Sequence, residues 1–291
     1  MLAAGLLTWV VILGAARTPL GAFQGALRGQ AAPALGAAAI RAALERAAVA
    51  PGSVDEVLMG CVLTAGLGQA PARQAALAAG LPESVPCTTV GKVCGSGMKA
   101  VMLGHDAILA GSAAVVVAGG MESMSNAPYL LDRARAGYRF GHGAILDHMA
   151  LDGLEDAYDR GRAMGTFAED CAEAQGFSRA EQDDFARASL VRAQAALAEG
   201  RFAAETVALG EVAQDESPAR ARADRIPRLR PAFREGGTVT AANSSSISDG
   251  AAALLVTTSE LAPEMGLTPI VRYRAGAVAG ADPVLMLTGP I

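Results

Sequence analysis

Short apolar runs that alternate with helical patterns restrict the fold of this chain more than any other feature. Four apolar runs lie before residue 120, at 9–15, 54–62, 85–90 and 113–118. Three helical patterns lie between them, at 34–49, 71–80 and 97–110. Such alternation predicts βαβ units, in which helices cover a mostly parallel sheet. The chain is 52% hydrophobic but only 4% aromatic, so we expect small side chains to fill the contacts between helices and sheet. We therefore predict an α/β fold with a parallel or mixed sheet covered by helices.

One long segment interrupts this pattern. Residues 121–237 are more charged and less regular, with one long helix predicted from a capping box at Ser178–Glu181 to Gly200. Strand-like apolar runs then return at 238–240, 254–256 and 269–278. Strand-like apolar runs, typical of a core, lie both before and after residues 121–237. We therefore predict that these residues are an insertion within one domain.

Charge and cysteine content narrow the range of functions. The net charge is −5 and the isoelectric point is about 5.3, which argues against a nucleic-acid partner. The four cysteines show no metal-ligand spacing and are too few for a disulfide framework, so we predict no metal site and a cytoplasmic location. The apolar run at 9–13 follows no basic residue and is too short to cross a bilayer. It is therefore predicted as a buried first strand, with no membrane association.

The two lysines of the chain mark one unusual segment. Lys92 and Lys99 lie close together, whereas the other 22 basic residues are arginines. They flank Cys94 in a glycine-rich turn between a predicted strand at 86–90 and a predicted helix. In a chain so biased toward arginine, this clustering indicates a functional site.

Cys94 is the candidate nucleophile of this site. We predict that the next helix begins near Gly97 with Ser96 as its cap. A thiol at that position lies near the positive end of the helix dipole, which favours the reactive thiolate. Exposed backbone N–H groups in the glycine-rich turn would stabilise an oxyanion. The remaining cysteines are predicted to be structural: Cys61, Cys87 and Cys171.

The same segment permits a second interpretation, a dinucleotide-binding module. Residues Gly95–Ala100 fit the pattern G-x-G-x-x-A between a strand and a helix, and Glu122 follows at the end of the next strand. However, Glu122 lies 25 residues after Gly97, and a nucleotide site gives no role to Cys94. The nucleophile interpretation is favoured, and the nucleotide interpretation stays open.

A cysteine nucleophile usually works with a base, and the chain has three histidines. His105 follows Cys94 by 11 residues, which places it about 16 Å along a helix axis. His142 and His148 lie in the charged insert, where histidines are usually found at the surface. The sequence therefore identifies no base.

Six ordered groups of residues, spread through nearly the whole chain, resemble the motifs of the thiolase family. They are Arg17–Gly25, Gly68–Ala75, Lys92–Lys99, Gly119–Ser125, Leu229–Phe233 with Gly237–Ser245, and Asp249–Ala253. Together these motifs are far more specific than any one of them.

The resemblance implies one half of a five-layered αβαβα fold built from two similar α/β halves. In that arrangement, residues 1–120 plus 238–273 would form the N-terminal thiolase domain. Residues 121–237 would form an inserted loop domain on the coenzyme A side. Residues 274–291 would begin a second half that is truncated here.

The resemblance also implies a reaction. Cys94 would take the acyl group of acetoacetyl-CoA or another 3-ketoacyl-CoA, release acetyl-CoA, and pass the acyl group to a second CoA in a ping-pong sequence. The reverse Claisen condensation would use the same acyl-cysteine. Coenzyme A would be a substrate, with no tightly bound cofactor, and the full-length protein would be a homodimer or homotetramer of fatty acid metabolism.

Four further residues correspond to the family's substrate side. By position, Leu154 and Phe233 would line the pantetheine channel, Ser245 would contact the pantetheine arm, and Met164 would pack near the acyl group. Each also has a structural interpretation. Met164 and Phe233 fit a plain core, Leu154 fits a helix anchor, and Ser245 fits a polar turn.

Three departures from the family pattern stand out. Gly91 replaces a usual Asn, Ala163 replaces a His found in some members, and Leu287–Ile291 resembles the point where the second half begins. In the family that half carries an Asn-Glu motif, the His of a Gly-His-Pro motif, and a second Cys. We therefore expect that these 291 residues by themselves do not catalyse thiolysis. The alternative is a non-catalytic half-thiolase that binds CoA or a partner.

Overall fold

The computed structural model describes residues 8–288, without the side chains of residues 285 and 286. Predictions for residues 1–7 and 289–291 lie outside the described residues. The described chain divides into two units. The first contains the described residues up to Asn126, Ala203–Gln214 and Ser248–Gly276. The second contains Ala127–Phe202, Asp215–Ile247 and the described residues from Ala277 onward.

The second unit and the predicted insert at 121–237 differ in four places. Residues 121–126 belong to the first unit, and the described residues from Ala277 onward belong to the second. Residues 203–214 belong to the first unit, because the Arg17 amide donates to Glu205 O at 2.9 Å and Val207 N donates to Arg17 O at 2.8 Å. Residues 238–247 belong to the second unit, where side chains of that unit bind their backbone.

Nine strands occur in the described residues, and their bounds are β1 Val10–Arg17, β2 Gly21–Ala22, β3 Glu56–Gly60, β4 Cys87–Val90, β5 Val116–Ser123, β6 Tyr129–Leu130, β7 Leu146–Asp147, β8 Ser248–Thr258 and β9 Val271–Arg272. Seven of them form one sheet in the first unit, in the order β4-β3-β5-β8-β1-β9, with β2 paired to β8. Pairs β3–β4 and β3–β5 are parallel, and the others are antiparallel. The predicted α/β fold with a mixed sheet is confirmed.

The described helices are α1 Ala32–Ala47, α2 Pro71–Ala78, α3 Ser96–Leu109, α4 Met164–Gln175, α5 Arg179–Ala198, α6 Glu216–Arg220 and α7 Leu261–Glu264. A π-helical turn spans Ala150–Leu154, and 3₁₀ turns span Pro51–Ser53, Met124–Asn126, Ala223–Arg228 and Pro283–Thr288.

Helices cover both faces of the sheet in the first unit. Alternate residues of β5 point to opposite faces. Val117 packs with residues of α1 and α2, whereas Val116 packs with residues of α3. In β3, Met59 joins the first cluster and Leu58 the second. A strand buried on both faces explains why these runs are continuously apolar in the sequence.

The second unit contains α4, α5 and α6, the β6–β7 pair, and an irregular segment at 238–247. The capping box of α5 is confirmed, since Ser178 N donates to Glu181 Oε2 at 2.8 Å and Glu181 N donates to Ser178 Oγ at 3.3 Å. The predicted strand at 238–240 is wrong. Its N–H groups bind side chains of the same unit instead of a neighbouring strand.

The last predicted strand, 269–278, is much shorter than expected. Only Val271–Arg272 pairs, with β1. Across residues 8–288 we find no helix with the length and hydrophobicity needed to cross a bilayer.

Candidate active site

Cys94 lies in the turn between β4 and α3, as predicted. Its side chain is exposed, two residues before the first residue of the helix. The turn is closed by two backbone hydrogen bonds, from Gly95 N to Lys92 O at 3.1 Å and from Ser96 N to Val93 O at 3.0 Å. The thiol is therefore accessible to a substrate at the N-terminal end of a helix, where the helix dipole favours negative charge.

The residue before Cys94 has an unusual backbone conformation. Val93 has a φ of 46°, in the left-handed region that β-branched residues rarely adopt. Such a conformation costs about 1–3 kcal/mol and persists only where neighbouring contacts hold it. Here Ser96 Oγ accepts from Lys92 N at 2.7 Å and donates to Val93 O at 2.6 Å. A buried serine thus fixes the turn that presents the thiol.

This arrangement corrects one prediction. Ser96 does not cap α3; the N-cap residue is Gly95, and Ser96 is the first residue of the helix. The hydroxyl of Ser96 is already bound to the preceding turn, so it serves the strained backbone rather than the helix N–H groups.

Three glycines set the position of the helix start. An added Cβ at Gly60 would lie 2.6 Å from Gly97 N, and one at Gly120 would lie 3.3 Å from Gly97 Cα. The first turn of α3 therefore rests directly on the backbones of β3 and β5. Gly60 pairs with Val90 and Gly120 in register, so the Cys94 turn lies at the carboxyl ends of the parallel strands, the usual place for a site in an α/β sheet.

The carboxylate of Glu122 is held by hydrogen bonds within the first unit. Its carboxylate accepts Val62 N at 2.8 Å and Leu63 N at 3.0 Å, and Cys61 Sγ lies 3.8 Å from Oε1. The dinucleotide interpretation needs this carboxylate for a ribose hydroxyl. The observed contacts instead use it to hold the chain after β3.

Burial, together with the negative charge and the hydrogen bond of Glu122, raises the pKa of the Cys61 thiol to about 12. Cys61 is also only 3% exposed. Both effects keep it in the neutral form, which is a poor nucleophile.

This difference predicts selective labelling of native cysteines. In iodoacetamide at pH 8, Cys94 should be alkylated, whereas Cys61 should react about 1,000-fold more slowly than an ordinary thiol, because the thiolate is rare four units below the pKa. The rate at Cys61 should rise about tenfold per pH unit up to its pKa. Peptide mass spectrometry over a time course measures both rates. Equal labelling of Cys61 and Cys94 in the folded protein would contradict this site description.

The three histidines lie in different environments, and His142 is exposed, as expected. His105 Nδ1 lies 3.0 Å from Asp106 Oδ1, and its ring stacks on Tyr273 at 4.3 Å. The expectation that His148 lies at the surface is wrong. It is 5% exposed, and its Nδ1 lies 2.5 Å from Asp152 Oδ2, so an acidic partner accompanies its burial.

Three of the four substrate-side candidates meet near the start of α4, in the second unit. Met164 is the first residue of α4. The ring of Phe233 packs on Gly165, where an added Cβ would lie 2.2 Å from the ring. Leu154 ends the π-helical turn, and a bridge between Glu155 and Ala163 brings this end of the turn beside the start of α4.

The fourth candidate, Ser245, is exposed in the irregular segment 238–247. Sequence reasoning missed the side chains that hold this segment, Glu169, Asp183 and Asn243, because they lie far apart in the chain. The sequence shows that these side chains can form hydrogen bonds, but it does not show that they lie close together in the folded chain. Among residues 8–288, no group of three or more His, Cys, Asp and Glu side chains is placed to hold a metal ion.

Comparison with known proteins gives a consistent result. Residues 10–260 match the family model described as the thiolase N-terminal domain. An acetyl-CoA acetyltransferase of Cupriavidus necator is 48% identical over 98% of this chain and 75% of its own length. An acetyl-CoA acetyltransferase of Escherichia coli is 49% identical over 97% of this chain and 74% of its own.

The structural comparison agrees with the sequence matches. The crystal structure of the Acat5 thiolase from Ascaris suum in complex with coenzyme A superimposes with a TM-score of 0.90 and 38% identity, over 95% of this chain and 72% of that one. Since the family model covers most of the chain and the fold follows that of a solved thiolase, this chain belongs to the thiolase family.

Proposed function

We propose that this chain is part of an acyltransferase of the thiolase type, in which Cys94 accepts the acyl group of an acyl-CoA. The observation that carries the proposal is the exposed thiol on a strained turn at the start of α3. Strain at one position, held by buried contacts, is typical of functional sites. Substrates of this class are acetoacetyl-CoA and other 3-ketoacyl-CoA molecules.

In the first step, the Cys94 thiol loses its proton and the sulfur attacks the thioester carbonyl. The tetrahedral intermediate collapses by breaking the bond on the other side of the carbonyl. With acetyl-CoA, the leaving group is the CoA thiolate, which then takes up a proton. With a 3-ketoacyl-CoA, the sulfur attacks the 3-keto carbonyl instead, and the leaving group is the enolate of acetyl-CoA, which is protonated on carbon. Transfer of the acyl group to a second CoA regenerates the thiol, giving a ping-pong reaction.

The second unit supplies the proposed coenzyme A contacts. Three apolar residues, Met164, Phe233 and Leu154, lie near the start of α4 and are partly exposed. Apolar side chains of this kind suit the alkyl part of a pantetheine arm, and the Ser245 hydroxyl suits its amides. Coenzyme A acts here as a substrate, with no tightly bound cofactor.

Several features of the proposal rest on the family resemblance alone. They are assembly into a homodimer or homotetramer and a role in fatty acid metabolism. The proposed cytoplasmic location rests instead on the low cysteine content. We also propose that residues 1–291 by themselves exchange an acetyl group with acetyl-CoA but do not cleave acetoacetyl-CoA, because the family motifs that handle protons are not among them.

Incubation with acetyl-CoA, followed by mass spectrometry of the intact chain and its peptides, tests this function. We expect one acetyl group per chain, on Cys94. With acetoacetyl-CoA and CoA, consumption should stay at the background rate, because cleavage of the carbon–carbon bond releases an enolate that the absent motifs would protonate. Sustained turnover would contradict the proposed inactivity of the 291 residues. NAD binding without an adduct would support the dinucleotide interpretation instead.

A further inference from the structure

The segment 238–247 is irregular yet partly buried. It contains no helix or strand, although Val239 is 3% exposed and Thr240 is 0% exposed. Buried backbone N–H and C=O groups need hydrogen-bond partners, and this segment cannot obtain them from a sheet or a helix. Its partners therefore decide where it lies.

The first partner is Glu169 of α4. This carboxylate is 3% exposed and accepts Thr238 N at 2.8 Å, Thr238 Oγ1 at 3.1 Å and Val239 N at 2.8 Å. An added Cβ at Gly237 would lie 2.2 Å from Glu169 Oε1, so the close approach depends on glycine. A buried carboxylate that receives several donors in this way is strongly held in place.

The second partner is the side chain of Asn243 within the segment. Its Oδ1 accepts Thr240 N at 2.6 Å, and its Nδ2 donates to Thr238 O at 3.1 Å and to Asp183 Oδ1 at 3.0 Å. Asp183, on α5, is 4% exposed and also accepts Arg179 Nε at 2.7 Å. Asn243 therefore closes the segment on itself and ties it to a second helix.

These contacts connect the proposed coenzyme A residues. α4 begins at Met164, and the ring of Phe233 packs on the next residue of this helix, Gly165. Glu169 lies on the same helix, five residues after Met164. Ser245 lies two residues beyond Asn243 and is exposed. Any shift of the segment would move Ser245 relative to the start of α4.

We propose that Glu169, Asp183 and Asn243 are positioning residues, which hold Ser245 and the start of α4 in the geometry that binds the pantetheine arm of coenzyme A. This inference rests on the proposed function of the second unit. It assigns the three residues no direct contact with the reacting atoms.

The test measures binding by the full 291-residue chain with isothermal titration calorimetry, using coenzyme A and, separately, adenosine 3′,5′-bisphosphate as ligands. The bisphosphate carries the nucleotide part without the pantetheine arm. In Asn243→Ala we expect Kd for coenzyme A to rise about tenfold or more, because positional errors of about 1 Å have effects of this size. Kd for the bisphosphate should stay within about twofold, because the nucleotide part makes no contact with Ser245 in this proposal.

Two further variants separate positioning from stability. Ser178→Ala removes the cap of α5 and so destabilises the same unit without touching the segment. It should lower the melting temperature and leave both Kd values unchanged. Asn243→Asp places like charges together, whereas combining it with Asp183→Asn restores a donor–acceptor pair. We expect the double variant to bind coenzyme A more tightly than Asn243→Asp but less tightly than the original chain, because Thr238 O still lacks the donor that Asn243 supplied.

The outcomes separate a failure of the proposed function from a failure of the positioning role. If the unmodified chain binds no coenzyme A, the proposed function and this inference fail together. If it binds and folded Asn243→Ala binds equally well, the inference alone is overturned. Equal losses for both ligands, accompanied by the same losses in Ser178→Ala, would show that stability rather than positioning is affected and would also overturn it.

Discussion

Replacing Cys94 with alanine is expected to abolish acyl transfer from acetyl-CoA to the chain. The change removes the sulfur atom and little else. Because the side chain is exposed, the free energy of unfolding should change by no more than about 0.5 kcal/mol. Intact-mass spectrometry should show that the acyl adduct falls about 100-fold or more, since no other side chain replaces a lost covalent nucleophile.

Coenzyme A binding should survive the same substitution. The Kd measured by calorimetry should stay within about threefold, because the pantetheine arm is bound by other residues in our proposal. Loss of the adduct with retained binding separates a nucleophile from a residue that merely holds the substrate.

Cys171→Ala and Cys87→Ala are the matched controls. Both thiols are half-buried, and both lie outside the turn. Burial raises the pKa of the Cys87 thiol, which further reduces its reactivity. Each control should form the adduct at the original rate. An adduct that persists in Cys94→Ala, or that disappears in either control, would contradict the proposed nucleophile.

The second large effect is expected for Gly60→Ala. The added methyl group would lie 2.6 Å from both Gly97 N and Ser96 C, and 2.7 Å from Ser96 Cβ. Real Cβ atoms do not approach other atoms so closely, and most of the atoms in the way are backbone. Either β3 or the start of α3 must therefore move. We expect a loss of about 3 kcal/mol in the free energy of unfolding, the upper end for overpacking.

The same movement should damage the turn that holds Val93 and Cys94. The acylation rate should therefore fall at a temperature where circular dichroism shows the variant to be folded. A displacement of about 1 Å at a reacting group costs up to about 100-fold.

Gly91→Ala is the matched control for this substitution. Gly91 precedes the same turn, but an added Cβ there meets no described atom within 4 Å. Its φ is not in the left-handed region. Stability should stay the same or increase by up to about 1 kcal/mol, because alanine lowers the entropy of the unfolded chain. The close approach described here would be contradicted if Gly60→Ala and Gly91→Ala were equally stable and acylated equally fast.

Much of the first unit could be predicted from the sequence because its signals are local. A strand buried on both faces must be apolar throughout, so β3 and β5 appear as short apolar runs. Residue patterns around Cys94 likewise indicate a turn that ends in a helix. The spacing of apolar residues and the residue types that favour turns depend only on residues close together in the chain, so both can be read from the sequence.

Other features depended on distant partners. The antiparallel pairing of β8 with β1 and β5 joins segments that are far apart in the chain, and nothing local specifies it. The apolar run at 238–240 has the pattern of a strand, yet Glu169 takes the N–H groups that a strand would offer. His148 has a charged sequence environment, yet the tertiary structure buries it beside Asp152.

By itself, the sequence determined the α/β class, the place of Cys94 between a strand and a helix, and the resemblance to thiolases. The tertiary structure decided how the turn is held. Ser96 folds back on Val93, and Gly60 and Gly120 let the helix rest on two strands. The physical reason is the range of the interactions. Local periodicity fixes which elements form, whereas close packing and buried hydrogen bonds depend on atoms that only the folded chain brings together.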